Sequence, residues 1–327
     1  MFVTLEQAVA KLLAGGVIVF PTETVYGLGA IATNPQAVDR VYQIKNRPRD
    51  NPLICHFFSL EQIEQYATIN PLSKFLLQHF APGPLSVLLD LPANSPLLPA
   101  TCGLPTMVAR IPNHPLTLEL IRQLNQPLAG PSANTSGKFS GTDPEMIIQD
   151  LGEKIDGLLD GGHCSIGLES TILDARNDQT IIILRQGAIG LNELQQVLQN
   201  SPFSQVTITS SQPNSPRIVT PGSKYKHYAP QTPLTWLTDA QQVAVLPPNQ
   251  TILFGGNLDQ LANLQKHHTV LFLGHNLKQI AHNFYRKLYE LDQLQVPQAW
   301  LFIPILDQSS LGLSLLEKIK KIVLVYL

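Results

Sequence analysis

Charge is scarce in this chain of 327 residues: 14% are Asp, Glu, Lys or Arg, and the formal net charge at pH 7 is -2. No global basic field is available to coat a nucleic acid, so any nucleotide contact must come from a local cluster. Cysteine is scarce too. Cys55, Cys102 and Cys164 stand far apart with no CxxC spacing, which argues against a zinc ribbon, a redox pair or a disulfide framework and reads as reduced core thiols. Glu6 and Lys11 interrupt the first apolar stretch, which has no cationic start. Neither a signal peptide nor a membrane span is expected, and the expected location is the cytoplasm. Also missing are a Ser-His-Asp order, HExxH, GxGxxG and GxxxxGK[ST].

What is present describes a compact folded chain. Hydrophobic residues make up 44%, far from the composition of a disordered segment. The length exceeds the ~250 residues at which single cores usually stop growing, so two domains are expected. Thr4 and Gln7 predict a capping box, Gly15 and Gly16 a helix end, and Val17 to Phe20 a buried strand. Asn34 and Pro35 open a helix through Lys45, and Leu53 to Phe57 reads as a short strand. Further strands are expected at Leu85 to Leu89, Met107 to Ile111, Gly157 to Leu159, Ser170 to Leu173 and Thr180 to Leu184. Helices are expected near Pro115 to Asn125 and Leu191 to Gln199. This alternation predicts an α/β domain over residues 1–200. Residues 201–233 are rich in Ser, Pro, Gln and Thr and read as a linker. Residues 234–327 read as a smaller α/β domain, with strands near Thr251, Val270 and Ala299 and helices at Leu277 to Asp292 and Ser314 to Ile322. Its FGGN (from Phe254) and FLGH (from Phe272) are read as strands followed by glycine turns.

Several polar segments follow apolar strands, where α/β folds commonly hold ligands. PTETVYGLG (Pro21 to Gly29) combines hydroxyls, a carboxylate and two glycines; an ordinary Thr-rich turn is the alternative. KNRPRDNPL (Lys45 to Leu53) places Lys45, Arg47 and Arg49 within five residues, so that the cations should project near one another and could grip phosphate. A solvated surface run is the alternative. His56 in LICHFF fits either a core histidine or a ligand. Arg110 in MVARIP lies on an apolar strand and must meet a carboxylate, of the protein or of a ligand. GPSANTSG, Gly130 to Gly137, can bring backbone N–H groups against phosphate. LESTILD and ILRQGAI add Ser170, Thr171 and Arg185. No side-chain nucleophile is needed if two substrates react with each other, because adenylyl transfer can run on positioning and charge neutralisation.

In this order, PTETVYGLG, KNRPRDNPL, MVARIPNHP, PSANTSG, LESTILD and LRQGAI resemble the YrdC-type threonylcarbamoyl-AMP synthases. TPGSKYKHYAP (Thr220 to Pro230) resembles the signature of the long form with a C-terminal domain. The resemblance implies an open, twisted mixed α/β sheet with a deep cationic cleft, followed by a smaller Rossmann-like α/β domain. It implies conversion of ATP, L-threonine and bicarbonate to threonylcarbamoyl-AMP and pyrophosphate. A separate transferase complex would then modify the adenosine next to the tRNA anticodon, so that contact with tRNA is indirect. On matching positions, Thr24, His56, Arg110, the backbone near Gly130 and Ser170 would form the threonine side. Lys45, Arg47, Asn51, Thr106, Ser132, Asn134, Ser140 and Arg185 would form the ATP side, with Lys45, Arg47 and Arg185 neutralising the triphosphate. Tyr228 would lie over the cleft as part of a lid. Mg2+ is expected with ATP, without a carboxylate cage. Two other readings stay open: a hydrogenase-maturation carbamoyltransferase, whose CxxC spacings are not visible, and a non-catalytic RNA-binding module using the same cationic cleft.

Overall fold

A computed structural model describes residues 1–210 and 229–323. Ten strands form one mixed sheet. They are β1 (Ile18–Phe20), β2 (Gly27–Ile31), β3 (Ile54–His56), β4 (Leu85–Asp90), β5 (Thr106–Arg110), β6 (Leu128–Ala129), β7 (Gly157–Leu158), β8 (Thr171–Asn177), β9 (Thr180–Arg185) and β10 (Thr207–Ser210), in the order β10-β9-β8-β4-β5-β3-β6-β2-β1-β7. Parallel and antiparallel pairs alternate through its centre: β3 is parallel to β5, β5 antiparallel to β4, and β4 parallel to β8.

The central strands are largely apolar because most of their residues are buried on both faces. On one face Leu53, Cys55, Phe57, Val87, Leu89, Met107 and Ala109 enter the main core. Their alternate neighbours Ile54, Leu88 and Val108 form a small separate cluster with Ile172 on the other face. Along that second face the register pairs His56 with Arg110, Arg110 with Ser86, Ser86 with Ile172 and Ile172 with Arg185. Paired residues point to the same side of a sheet, so one row crosses five strands with three cation-capable side chains and a hydroxyl.

Helix Leu5–Leu13 begins at the Thr4 capping box and helix Pro35–Lys45 at Asn34, whose side chain accepts from the Ala37 N–H. Such caps contribute about 1 kcal/mol each. Asn46 takes a left-handed conformation (φ 52°) and ends the second helix, which turns Lys45 and Arg47 toward the sheet.

Four parallel strands form the second sheet: β11 (Leu234–Leu237), β12 (Thr251–Gly255), β13 (Thr269–Gly274) and β14 (Ala299–Phe302), in the order β11-β14-β12-β13. Helices Leu277–Gln293 and Ser310–Ile322 pack between the two sheets. One apolar cluster joins Val25, Met146 and Leu168 of the first unit to Phe284, Tyr285, Leu288 and Leu315 of the second. Approach is close at Gly167 (φ +83°), where a Cβ would stand 2.5 Å from the Ala281 carbonyl oxygen.

The sequence reading requires corrections. Residues 201–233 are not linker throughout: TITS, Thr207–Ser210, pairs parallel to β9 and extends the first sheet. Its β-branched run, Val206 to Thr209, is hidden in a Ser/Thr-rich stretch. GLGAI, read as part of a loop, is strand β2. Helices Leu60–Glu64, Pro71–Phe80, Pro144–Leu151 and Leu258–Gln265 were not expected. Helix Ser310–Ile322 begins before the expected Ser314.

Candidate active site

The cleft lies on the second face of the ten-stranded sheet, opens to solvent with about 680 Å³ of empty space, and has the His56, Arg110 and Arg185 row in its floor. Glycines shape one wall. The Phe20 ring lies across β2 and β6, so that a Cβ at Gly27 or Gly29 would come within 2.3 or 2.4 Å of it, and one at Gly130 within 2.9 Å. The same ring meets His56 edge-on, with centroids 5.2 Å apart. His56 Nε2 lies 3.2 Å from the Gly130 carbonyl oxygen. Burial, with Arg110 adding to it, lowers the His56 imidazole to about 3 against the pull of the Gly130 carbonyl, so the ring is neutral near pH 7.

Arg110 is 3% exposed and lies 2.8 Å from Glu23 Oε1 through Nη2. That contact is an ion pair whose angle completes no hydrogen bond at either atom. Glu23 also accepts from the Asn113 N–H at 3.0 Å. A buried arginine meets a carboxylate, as the sequence required, and the protein supplies it. Glu23 was missed there, although it stands in PTETVYGLG, one of the few acidic residues within the polar motifs.

The KNRPR cations separate. Lys45 is buried and donates to the carbonyls of Ser132 and Asn134 and, at 3.3 Å, to Asn134 Oδ1. Burial lowers its pKa well below the usual lysine range, with Arg47 adding to the effect. Its donors thus brace the SANTSG loop at the wall of the cleft. Asp150 braces the other side of that loop, accepting from the Thr135 N–H at 2.6 Å and from Lys138 at 2.8 Å. Arg47 donates to the Asn51 carbonyl at 2.9 Å, to Asn51 Oδ1 at 2.6 Å and to the Pro52 carbonyl at 2.8 Å. Arg49 departs from the expected cluster. It is exposed, pairs with Asp39 and covers the Tyr42 ring at 5.8 Å.

Arg185 donates from Nε to the Ser170 carbonyl and from Nη2 to Ser170 Oγ, both at 3.0 Å. Ser170 Oγ in turn lies 2.8 Å from Ser86 Oγ. His56 Nδ1 and Ser136 Oγ are buried against the cleft without a hydrogen-bond partner among the described residues. Such groups cost about 1–3 kcal/mol each when left unmet, and a polar ligand would satisfy them.

Nine of the expected site residues line this one cleft: Lys45, Arg47, His56, Arg110 and Gly130, together with Ser132, Asn134, Ser170 and Arg185. Four lie outside the lining. Thr24 bonds Thr22, 2.8 Å away, which does line it. Asn51 holds Arg47. The Ser140 hydroxyl donates to Glu169 at 2.6 Å. Thr106 opens β5 at the end opposite Arg110. Tyr228 lies outside the described residues; Ala229, next to it, donates its N–H to the Gly137 carbonyl at 3.1 Å. Among the described residues Glu169 is the one acidic residue in the lining, and it was not singled out from sequence. No group of three or more His, Cys, Asp or Glu able to hold a metal ion occurs among the described residues. Nor is any described helix long and apolar enough to cross a membrane.

A mixed α/β sheet whose cleft floor carries a buried arginine and a neutral histidine suits a small, anionic, hydrogen-bonding ligand. The family model described as Telomere recombination, covering Sua5, YciO and YrdC, matches residues 10–187, and the Threonylcarbamoyl-AMP synthase C-terminal domain matches residues 189–321. The chain is 42% identical over 231 residues to a threonylcarbamoyl-AMP synthase of Bacillus subtilis, covering 70% of this chain and 65% of that one. It is 33% identical over 325 residues to one of Pyrococcus abyssi, covering 94% and 90%. The crystal structure of P. abyssi Sua5 complexed with L-threonine superposes with a TM-score of 0.82 at 31% identity, covering 97% of this chain and 93% of that one. The chain belongs to the Sua5/YciO/YrdC family, in the two-domain form with the threonylcarbamoyl-AMP synthase C-terminal domain.

Proposed function

We propose that this protein is an L-threonylcarbamoyladenylate synthase, a nucleotidyltransferase. L-Threonine and bicarbonate condense to a carbamate with loss of water. A carbamate oxygen then attacks the α-phosphorus of ATP, and the bond to pyrophosphate breaks. The observation that carries this reading is the single register row joining Arg110 and His56 to Arg185 across the cleft floor. On this reading the row would put an amino-acid subsite beside a phosphate subsite, as in-line attack by one bound substrate on another requires. The full-length likeness to a protein solved with L-threonine supports the same assignment.

Arg110, with His56, Ser170, Thr24 and the Gly130 backbone, would hold threonine. Lys45, Arg47 and Arg185 would neutralise the triphosphate, while Ser132 and Asn134 contact the nucleotide and Asn51, Thr106 and Ser140 support it. Mg2+ would arrive with the triphosphate; Glu169 alone offers a carboxylate in the lining, so substrate oxygens and water would hold the ion. A cytoplasmic location and a downstream transferase complex acting on tRNA complete the reading.

Pyrophosphate release is the test. It should require ATP, L-threonine and bicarbonate together, and Arg110→Ala should lower kcat/KM for threonine by at least roughly a hundredfold, because Glu23 is left buried and unpaired. Folded protein that releases no pyrophosphate, and instead binds RNA in a salt-dependent way, would reverse the assignment.

A further inference from the structure

The carboxylate in the cleft lining is held from the other domain. Glu169 immediately precedes Ser170 and is 5% exposed. Its Oε1 accepts from Ser140 Oγ at 2.6 Å, and both oxygens lie within reach of Tyr285 OH, at 3.1 and 3.0 Å. Oε2 lies 3.6 Å from Lys318 Nζ. Tyr285 and Lys318 are both 0% exposed and stand on helices Leu277–Gln293 and Ser310–Ile322 of the C-terminal domain. The second helix also grips the residue that follows Arg185. The Gln186 carbonyl accepts from Lys318 Nζ and from Ser314 Oγ, each at 3.4 Å, and the Gln186 N–H donates to Glu317 Oε2 at 3.3 Å.

A buried lysine is costly and is retained only with a charged partner. Burial raises the Glu169 pKa, but Lys318, then Arg185, then the Ser140 hydroxyl outweigh it and hold the carboxyl below its usual range. The group is therefore an anion in a cleft that has to accept a triphosphate. An unneutralised anion there would repel the ligand.

We infer that Lys318 and Tyr285 are positioning residues of the C-terminal domain: they neutralise and orient Glu169, and so set Ser140 and Arg185 for the nucleotide. The catalytic cleft is then incomplete without the second domain. This inference rests on the synthase reading, and the parent enzyme's substrate-dependent pyrophosphate release checks that reading separately.

The test measures KM for ATP against pH in full-length Lys318→Met, Glu169→Gln and the double variant. Besides Lys318, the charged or titratable groups around Glu169 are Arg185, Lys45 and Tyr285, with Glu317 beside Lys318. Without Lys318 the carboxyl titrates at higher pH. KM for ATP in Lys318→Met should therefore approach the parent value in acid and rise about tenfold as Glu169 ionises, while the parent stays flat. The rise should vanish in the double variant. Tyr285→Phe, which removes only a hydroxyl, should raise KM for ATP by a smaller factor, again only when Glu169 is present, and serves if Lys318→Met does not fold. A KM for ATP that is unchanged at every pH, or a defect undiminished in the Glu169→Gln background, overturns the inference.

Discussion

The two sheets end their strands differently. In the second, the strand-to-helix corners cap their own helices: Asn257, Asn276 and Ser309 accept from Gln260, Gln279 and Gly312, the backbone N–H groups three residues on, and the unmet atoms, Gln260 Oε1 and His268 Nδ1, gather no cations around them among the described residues. In the first, the corners leave His56 Nδ1 and Ser136 Oγ unmet, crowd cations into the floor and draw a carboxylate into the lining. Folding gains nothing from such an arrangement. On the proposed reading, the first domain would carry the chemistry at its strand ends, and the second would use its helices as a brace. Unmet polar groups mark a site where they gather with cations in one cleft, as His56 Nδ1 and Ser136 Oγ do, rather than singly, as Gln260 Oε1 and His268 Nδ1 do.

Variants in the cleft should separate sharply from variants beside it. Arg47→Ala should have the largest effect. It removes a buried guanidinium held by Asn51 and Pro52, and kcat/KM for ATP should fall at least about a hundredfold, roughly 3 kcal/mol. Arg49→Ala, two positions along, should leave both activity and urea midpoint unchanged, since its pair with Asp39 is exposed. Equal losses in the two would break the distinction between cleft and surface.

Gly29→Ala should come next, costing about 1–3 kcal/mol in urea unfolding, because the new methyl group meets the Phe20 ring. His56 sharpens the comparison through pH. Its folded pKa of about 3 lies below the ordinary 6.5, so its contribution to stability is fully present above about pH 6.5 and is lost as pH falls toward 3. His56→Asn should flatten the stability-pH slope in that window by up to about 1.4 kcal/mol per pH unit. An unaltered slope would mean the ring is not buried neutral.

Much of this was legible in the sequence because motif and strand end coincide. Arg110, His56 and Arg185 were singled out as polar residues on or beside apolar strands. Their common row was not legible, because register depends on pairing between strands distant in sequence. β2 was missed because glycine signals a loop, and only the Phe20 ring explains why Gly27 and Gly29 occupy a strand. Helices Pro71–Phe80 and Pro144–Leu151 begin with Asn70-Pro71 and Asp143-Pro144, start signals of the same kind as the Asn34-Pro35 that was used. They could have been found. Glu169 could not, because its partners Tyr285 and Lys318 lie in another domain.

The central claim, that one cleft joins threonine, bicarbonate and ATP, is tested most directly by supplying isotopically labelled bicarbonate with L-threonine and ATP and identifying the nucleotide product by mass spectrometry. The account predicts threonylcarbamoyl-AMP carrying the label, formed with pyrophosphate. ATP left intact by folded protein, or AMP formed without a labelled adduct, would contradict it.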